Sequence, residues 1–440
     1  MKKKRVGDFE IIDVYDLKQE EFETFRDEHD DFEWWEEGET IYSAEDYHSF
    51  LFGDLQPGQE FAALKYLGNN ENIVIPDEAT QLVCGLFEGN EKIRSVIIPD
   101  SVNMIEDNAF KNCTALESVK FGAGVTEISA YAFCGCKSLK KIEIPNSVKS
   151  IGEYGFYNCT SLSSVSLDSC CIKRINEGTF KGCAALKNIT LPESLTDLNL
   201  HALFESGIEE LYIPKNVSSI RGGSYLNCRT LKKIEVDPDN PHLVSKNNCI
   251  ISKSGGLLLA TVGDFKLPND GSVKKIDTWL FNGNRNLTEI DIPEGVTHLY
   301  SSAFECCTNL RRVSLPSTLE SIGKSVFAGC EALEEILIPG SVKEVEREAF
   351  YCSGIRKLVI KRGVKVLHMG AFNGCKQLTE AYIPSSVCKI EGGPFGELFS
   401  DCNKKLCVYI EKRENGSHEN LARYLGKTKV KFIDSNEIFD

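Results

Sequence analysis

One feature constrains this 440-residue chain more than any other: it repeats itself every 23 residues. Phe87, Phe110, Phe133 and Phe156 are separated by that step, and Phe304, Phe327 and Phe350 resume it. Prolines keep the same time, with Pro76, Pro99 and Pro145 on one grid and Pro293, Pro316 and Pro339 on another. One unit reads Ile98-Pro99-x-Ser101-Val102-x-x-Ile105, then Ala109-Phe110-x-x-Cys113, then Leu116-x-x-Val119-x-Phe121. Roughly 13 or 14 such units run from residue 76 to residue 407. So long a period excludes a heptad coiled coil. It falls in the range of solenoids, whose units bury their apolar side only against one another.

Each part of the unit has a physical meaning. Leu139-Lys140-Lys141-Ile142-Glu143-Ile144 alternates apolar and polar residues, which predicts a strand with one buried face. Pro145 ends it, because proline brings no N–H to a ladder. Val148 and Ile151 predict a second short extended piece facing the same core. The Ala-Phe step sends one ring inward per coil, so successive rings should stack at about the 4.8 Å strand spacing. Before seven of the eight recurrent cysteines stands Asn112, Gly135, Asn158, Gly182, Asn227, Gly329 or Gly374. Asn and Gly share a tolerance of left-handed backbone, which predicts a tight turn there. Two units are one residue short, and both carry Ser-Gly at that turn, Ser206-Gly207 and Ser353-Gly354.

These residues resemble the BspA-like class of leucine-rich repeats, whose units follow L-x-x-I-x-I-P, V-x-x-I and A-F-x-x-C. The resemblance covers residues 76 to about 407. It implies a curved right-handed solenoid with a parallel β-sheet on its concave face and short helical or 3-10 turns on the convex side. It also implies protein binding, often adhesion at a microbial surface. Residues 238–268 form a longer unit. There Cys249-Ile250-Ile251 and Leu257-Leu258-Leu259 flank Gly255-Gly256, predicting a β-hairpin that protrudes from the array or bends it.

The ends differ from the array. Residues 1–60 carry 19 acidic and 6 basic side chains, so the chain's net charge of -15 is mostly theirs. Such a balance lacks the basic footprint that phosphate neutralisation needs, so no nucleic-acid partner is expected. The same segment is rich in aromatics, including Phe22, Phe25, Trp34 and Trp35, unlike an acidic disordered tail. Residues 1–70 are expected to form a small α-rich cap or docking segment, with a helix starting at Ser43-Ala44-Glu45-Asp46 and continuing through Tyr47, Phe50 and Leu51. Residues 71–410 form the solenoid. Residues 411–440 should close it with a short helix from His418 to Leu425 and a strand at Val430-Lys431-Phe432-Ile433. No apolar run reaches the ~20 residues of a membrane helix, and Lys2-Lys3-Lys4-Arg5 leads into no apolar stretch. A cytoplasmic location is therefore expected, with the cell surface as the alternative that the resemblance implies.

Chemistry is hard to find. Cys113, Cys136, Cys159, Cys183, Cys228, Cys307, Cys330 and Cys375 share one repeat position. A catalytic thiol needs one special environment, whereas eight copies in register indicate small core residues, expected as free thiols. Cys402-x4-Cys407 with His418 is the nearest approach to a zinc set, and no second pair completes it. The glycine pairs lack the lysine of a phosphate loop. Neither enzyme activity nor a cofactor or metal is expected, apart from a remote reading in which residues 1–70 carry an activity and the array reads its substrate.

The exposed strand positions two and four residues before each proline position are then the expected binding face. Among them Lys120, Lys141, Glu143, Tyr212, Glu235, Asp291 and Arg312 give a mixed-charge middle. Leu337, Val359 and Tyr382 give an apolar trio on adjacent strands. Exposed apolar patches mark interaction sites and tyrosine is a favoured anchor, so the expected partner is a protein.

Overall fold

A computed structural model describes residues 4–13, 35–37, 40–42, 61–221, 230–260, 266–391, 398–412, 425 and 428–434. The chain divides into two units, Met1–Leu195 and Thr196–Asp440.

In the first unit, each coil lends a three-residue strand to one parallel sheet. Its members are Asn72–Val74, Ser95–Ile97, Ser118–Lys120, Lys141–Glu143 and Ser164–Ser166. Each then lends a two-residue strand to a second sheet, Gln81–Leu82, Met104–Ile105, Glu127–Ile128 and Ser150–Ile151. Register is fixed by the period: Val96 lies beside Val119, and Ile128 beside Ile151. The inward valines and isoleucines meet the phenylalanine ladder, whose rings stack with centroids 5.0 Å apart for Phe110 and Phe133 and 5.3 Å for Phe133 and Phe156.

The third side of the coil corrects the expected helical turns. Cys113, Lys111 and Ala109 donate their N–H groups backward within the coil, to Phe110, Asn108 and Glu106. The intervening N–H groups of Asn108, Phe110 and Asn112 point outward and bond Ala130, Ala132 and Cys134 of the next coil. Every backbone donor there is satisfied, but only if N–H groups alternate in direction, which a helix cannot supply. The alternation demands two left-handed residues per coil, Asn108 (φ 58°) and Asn112 (φ 59°) in this one. The expected turn before the cysteine is thus present at Asn112, Gly135, Asn158, Gly182, Gly329 and Gly374; Asn227 lies outside the described residues.

The expected α-rich N-terminal cap is also corrected. Lys4–Val6, Phe9–Asp13 and Phe61–Tyr66 are strands, the first two pairs antiparallel, and Phe61–Tyr66 joins the second sheet parallel to Gln81–Leu82. The helices expected at 43–51 and 418–425 lie outside the described residues, apart from Leu425, which is buried.

The second unit repeats this plan. Its first-sheet strands include Glu335–Ile338, Lys357–Ile360, Glu380–Ile383, Cys407–Glu411 and Lys429–Ile433, so the C-terminal segment continues the ladder. The long insertion forms an antiparallel meander, Leu243–Lys246, Cys249–Ser252 and Gly256–Ala260. It does not stand off as a free hairpin. Gly256–Ala260 pairs parallel with Lys275–Ile276 and takes the second-sheet place of its coil, while Cys249, Ile251 and Leu257 enter the core. Among the described residues the one helical element is a 3-10 turn, Leu200–Leu203. The shortened turn at Ser353-Gly354 needs its glycine for close approach, since a Cβ on Gly354 would overlap the Glu331 carbonyl. The left-handed residues of that coil are Glu348 (φ 57°) and Cys352 (φ 53°).

Candidate protein-interaction face

Alternate residues of each first-sheet strand turn away from the core and form columns across the coils. In the first unit one column runs Val74, Ile97, Lys120, with Glu143 and Ser166 in the same register. Its neighbour contains Ser118 beside Lys141. Lys141 and Glu143, both exposed, form an ion pair along their own strand. Arg94 bridges Glu71 at 3.1 Å and Glu117 at 3.0 Å, and Lys140 reaches Glu117 at 2.8 Å. Lys140 foremost, by a direct hydrogen bond, and Arg94 with it hold the Glu117 carboxyl below its ordinary value. Exposed pairs of this kind contribute little to stability, so the charged middle is a solvated surface whose groups already satisfy one another.

The column begins differently. Val74 is 65% exposed and Ile97 is 44% exposed, on directly paired strands. Their pattern, apolar where the next coils carry Lys120 and Glu143, was legible in the sequence as two members of the same row.

In the second unit Tyr212 is exposed and its hydroxyl donates to Asp237 at 2.7 Å. Glu235 pairs with Lys233 at 2.9 Å. Arg312 forks between Glu289 and Asp291, at 3.2 and 2.8 Å. Next along the unit, Leu337, Val359, Tyr382, Tyr409 and Lys431 fall into one column. Leu337 is 50% exposed. Val359 corrects the expectation of an exposed trio: it is only 9% exposed, a short β-branched side chain flanked by the larger Leu337 and Tyr382 on the neighbouring strands. Tyr382 is half-buried because its ring lies flat on Tyr409, centroids 4.7 Å apart and planes 9° from parallel. Lys357 stands 5.9 Å from the Tyr382 ring centre and Lys431 5.4 Å from that of Tyr409. The apolar feature is therefore Leu337, then a stacked tyrosine pair bracketed by two ammonium groups. Tyr409 and Lys431 were missed because no proline marks the row beyond Pro384 and the intervening unit is four residues longer than the period.

An ion pair between a half-buried arginine and a buried carboxylate lies beside this column. Arg362 Nε donates to Glu411 at 3.1 Å, and the Ser385 N–H reaches the same carboxylate at 2.7 Å. Burial alone would push the Glu411 carboxyl up, but the guanidinium and the Ser385 N–H overcome it and hold the group at about 2. The pair ties three successive coils at the end of the strands that carry Val359, Tyr382 and Tyr409.

Among the described residues no group of three His, Cys, Asp or Glu side chains could hold a metal ion, and no helix is long and apolar enough to cross a membrane.

Parallel ladders on a 23-residue period, with a solvent-facing strand surface and an apolar core of Phe, Leu and Cys, define a leucine-rich-repeat protein. The chain belongs to the family described as BspA type leucine rich repeat region, which matches it in six copies over residues 61–169, 103–232 and 274–406. No curated protein matches it. Among solved structures it is similar to a leucine rich cell surface protein from Faecalibacterium prausnitzii A2-165, at 24% identity over 96% of this chain and 97% of that one, with a TM-score of 0.62. It is also similar to the pneumococcal vaccine antigen PcpA, at 17% identity over 99% of each chain, with a TM-score of 0.59. At these identities the likeness concerns the fold.

Proposed function

We propose that this chain is a non-enzymatic binding module that takes a protein partner on the solvent-facing surface of its first sheet. The observation that carries this reading is Leu337 exposed in the same column as the Tyr382–Tyr409 stack, with the short Val359 between them, on a rigid ladder. A preformed surface loses little conformational freedom on binding, so a few anchors suffice for affinity. In each unit the polar and charged neighbours act as a rim: Lys120, Lys141 and Glu143 in the first, and Tyr212, Glu235, Asp291 and Arg312 in the second. Val359 contributes as support beneath the anchors. The test is capture of partners by the full chain from extracts of its source organism and its surroundings, against a variant carrying Leu337→Ser and Tyr382→Ser. Loss of a specific protein with an unaltered circular dichroism spectrum supports the reading; identical capture by both removes this face from it.

A second reading places the module at a cell surface as an adhesin, in the cytoplasm's stead. It is favoured by the likeness to a leucine rich cell surface protein over nearly the whole of both chains. Fractionation of the source organism, with protease shaving of intact cells, separates the two locations.

A further inference from the structure

The insertion meander does more than lengthen one coil. Together with the second sheet of its own unit it lines an open groove of about 740 Å³, within the usual range of small-ligand sites. Ser252 and Ser254 line it from the meander, His242 from the start of the insertion, and Lys275, Asp277 and Tyr300 from the coils that follow.

Asp277 is the informative member. Its carboxylate accepts no hydrogen bond from the described residues, although it is partly buried against Gly256. Burial pushes its carboxyl above the ordinary value, against the pull of the nearby Lys275 charge. A half-buried carboxylate without a donor is costly, and a ligand hydroxyl would supply one. The two cations of the wall are already engaged: Lys253 Nζ donates to the Asn240 carbonyl at 2.8 Å, and Lys275 Nζ sits 5.9 Å from the Tyr300 ring centre. The serine hydroxyls of Ser252 and Ser254 lie 2.8 Å apart and present both donor and acceptor capacity.

The charges select the ligand. An anion would have to face the Asp277 carboxylate, and a cation would face Lys253 and Lys275. A neutral molecule with many hydroxyl groups meets donors and acceptors without either conflict, and the apolar wall from Leu258 and the Tyr300 ring suits the C–H face of a sugar. The geometry points to a binding site for a short neutral oligosaccharide between the insertion meander and the second sheet, with Asp277 accepting from ligand hydroxyls. This site is separate from the first-sheet face and stands or falls without it.

Saturation-transfer NMR on the full chain tests it, using a panel of mannotriose, cellotriose, chitotriose and lacto-N-tetraose, with inorganic phosphate and sialyllactose as anionic probes. At least one neutral oligosaccharide is expected to receive saturation. Its affinity should fall at least tenfold in Asp277→Ala, and equally in Ser254→Tyr, which fills the rim from an exposed position without touching the core. Retained circular dichroism and melting temperature in Ser254→Tyr separate loss of the site from loss of the fold. Silence of the neutral panel, binding confined to the anionic probes, or neutral binding unchanged by both substitutions overturns the proposal.

Discussion

Cys159 donates its S–H to the carbonyl oxygen of Phe133, 3.2 Å away in the preceding coil. The same bond recurs from Cys113 to Phe87 at 3.1 Å, Cys183 to Phe156 at 3.3 Å, Cys307 to Phe281 at 2.9 Å and Cys330 to Phe304 at 3.1 Å. The Phe133 carbonyl already accepts an N–H from Cys136 within its own coil, so the thiol uses its second lone pair. Cysteine suits the position because it is small, apolar and still a weak donor. The register that lines these thiols up also aims each at a carbonyl, and every described cysteine is free.

Reactivity and pH dependence follow from that placement. With Ellman's reagent, the exposed Cys84, Cys171, Cys306, Cys352 and Cys388 should react rapidly in the native protein, and the ladder cysteines only as it unfolds. Burial pushes the Cys183 thiol from 9.0 up to about 12. A thiol raised on folding gives stability that is complete below pH 9 and is lost as the pH rises toward 12, because the unfolded chain ionises first. Urea midpoints should therefore fall above pH 9, and less steeply in Cys183→Ala than in the parent chain.

The phenylalanine ladder sets the largest single cost. Phe133 is fully buried with a ring stacked on each side. Phe133→Ala removes both stacks and leaves a cavity, which should cost about 3–5 kcal/mol in urea titrations. Phe133→Leu keeps most of the volume and should cost about 1–2 kcal/mol.

Glu411 governs the acid side. Its carboxyl is held at about 2 by Arg362 and Ser385 despite burial, so its contribution is present above the ordinary value of 4.5 and lost as the pH falls toward 2. Acid unfolding followed by tryptophan-independent circular dichroism should show this loss in the parent chain. Glu411→Gln should flatten the pH dependence in that window. Arg362→Met should move the acid transition upward, because it leaves the carboxylate buried without its partner.

Much of this was legible in the sequence, and the misses have physical causes. The strands, the Phe stack and the left-handed turn before the cysteine all follow from residues that recur with little variation, such as Pro99, Phe110 and Asn112. The second left-handed position, two residues before each Phe, did not show because it is filled by Tyr131, Tyr154, Trp279 and Ser302 as well as by glycine. The inter-coil hydrogen bonds impose that conformation whatever the side chain, so no residue type advertises it. Helix was expected where i to i−3 bonds do occur, but the period could not reveal that alternate N–H groups leave for the next coil. Exposure of Val359 was misjudged because alternation gives the direction of a side chain and not the size of its neighbours.

Asn158 and Gly182 carry one further consequence of that column. The residue before the cysteine, or before the Asn or Ser that takes its place, alternates along the first unit as Gly89, Asn112, Gly135, Asn158, Gly182, and along the second as Gly283, Cys306, Gly329, Cys352, Gly374, all with positive φ. A Cβ on Gly182 would overlap the Asn158 carboxamide oxygen, and one on Gly135 would overlap that of Asn112. The side chain of one coil thus occupies the place where the next coil's Cβ would be, giving a two-coil period on top of the 23-residue one. Gly182→Ala should cost about 2–4 kcal/mol, combining left-handed strain with the overlap. In an Asn158→Gly background the overlap is gone and only the strain of about 1–2 kcal/mol should remain. A double-mutant cycle by urea denaturation measures the difference, and strict additivity of the two substitutions would show that the alternation is not a packing requirement.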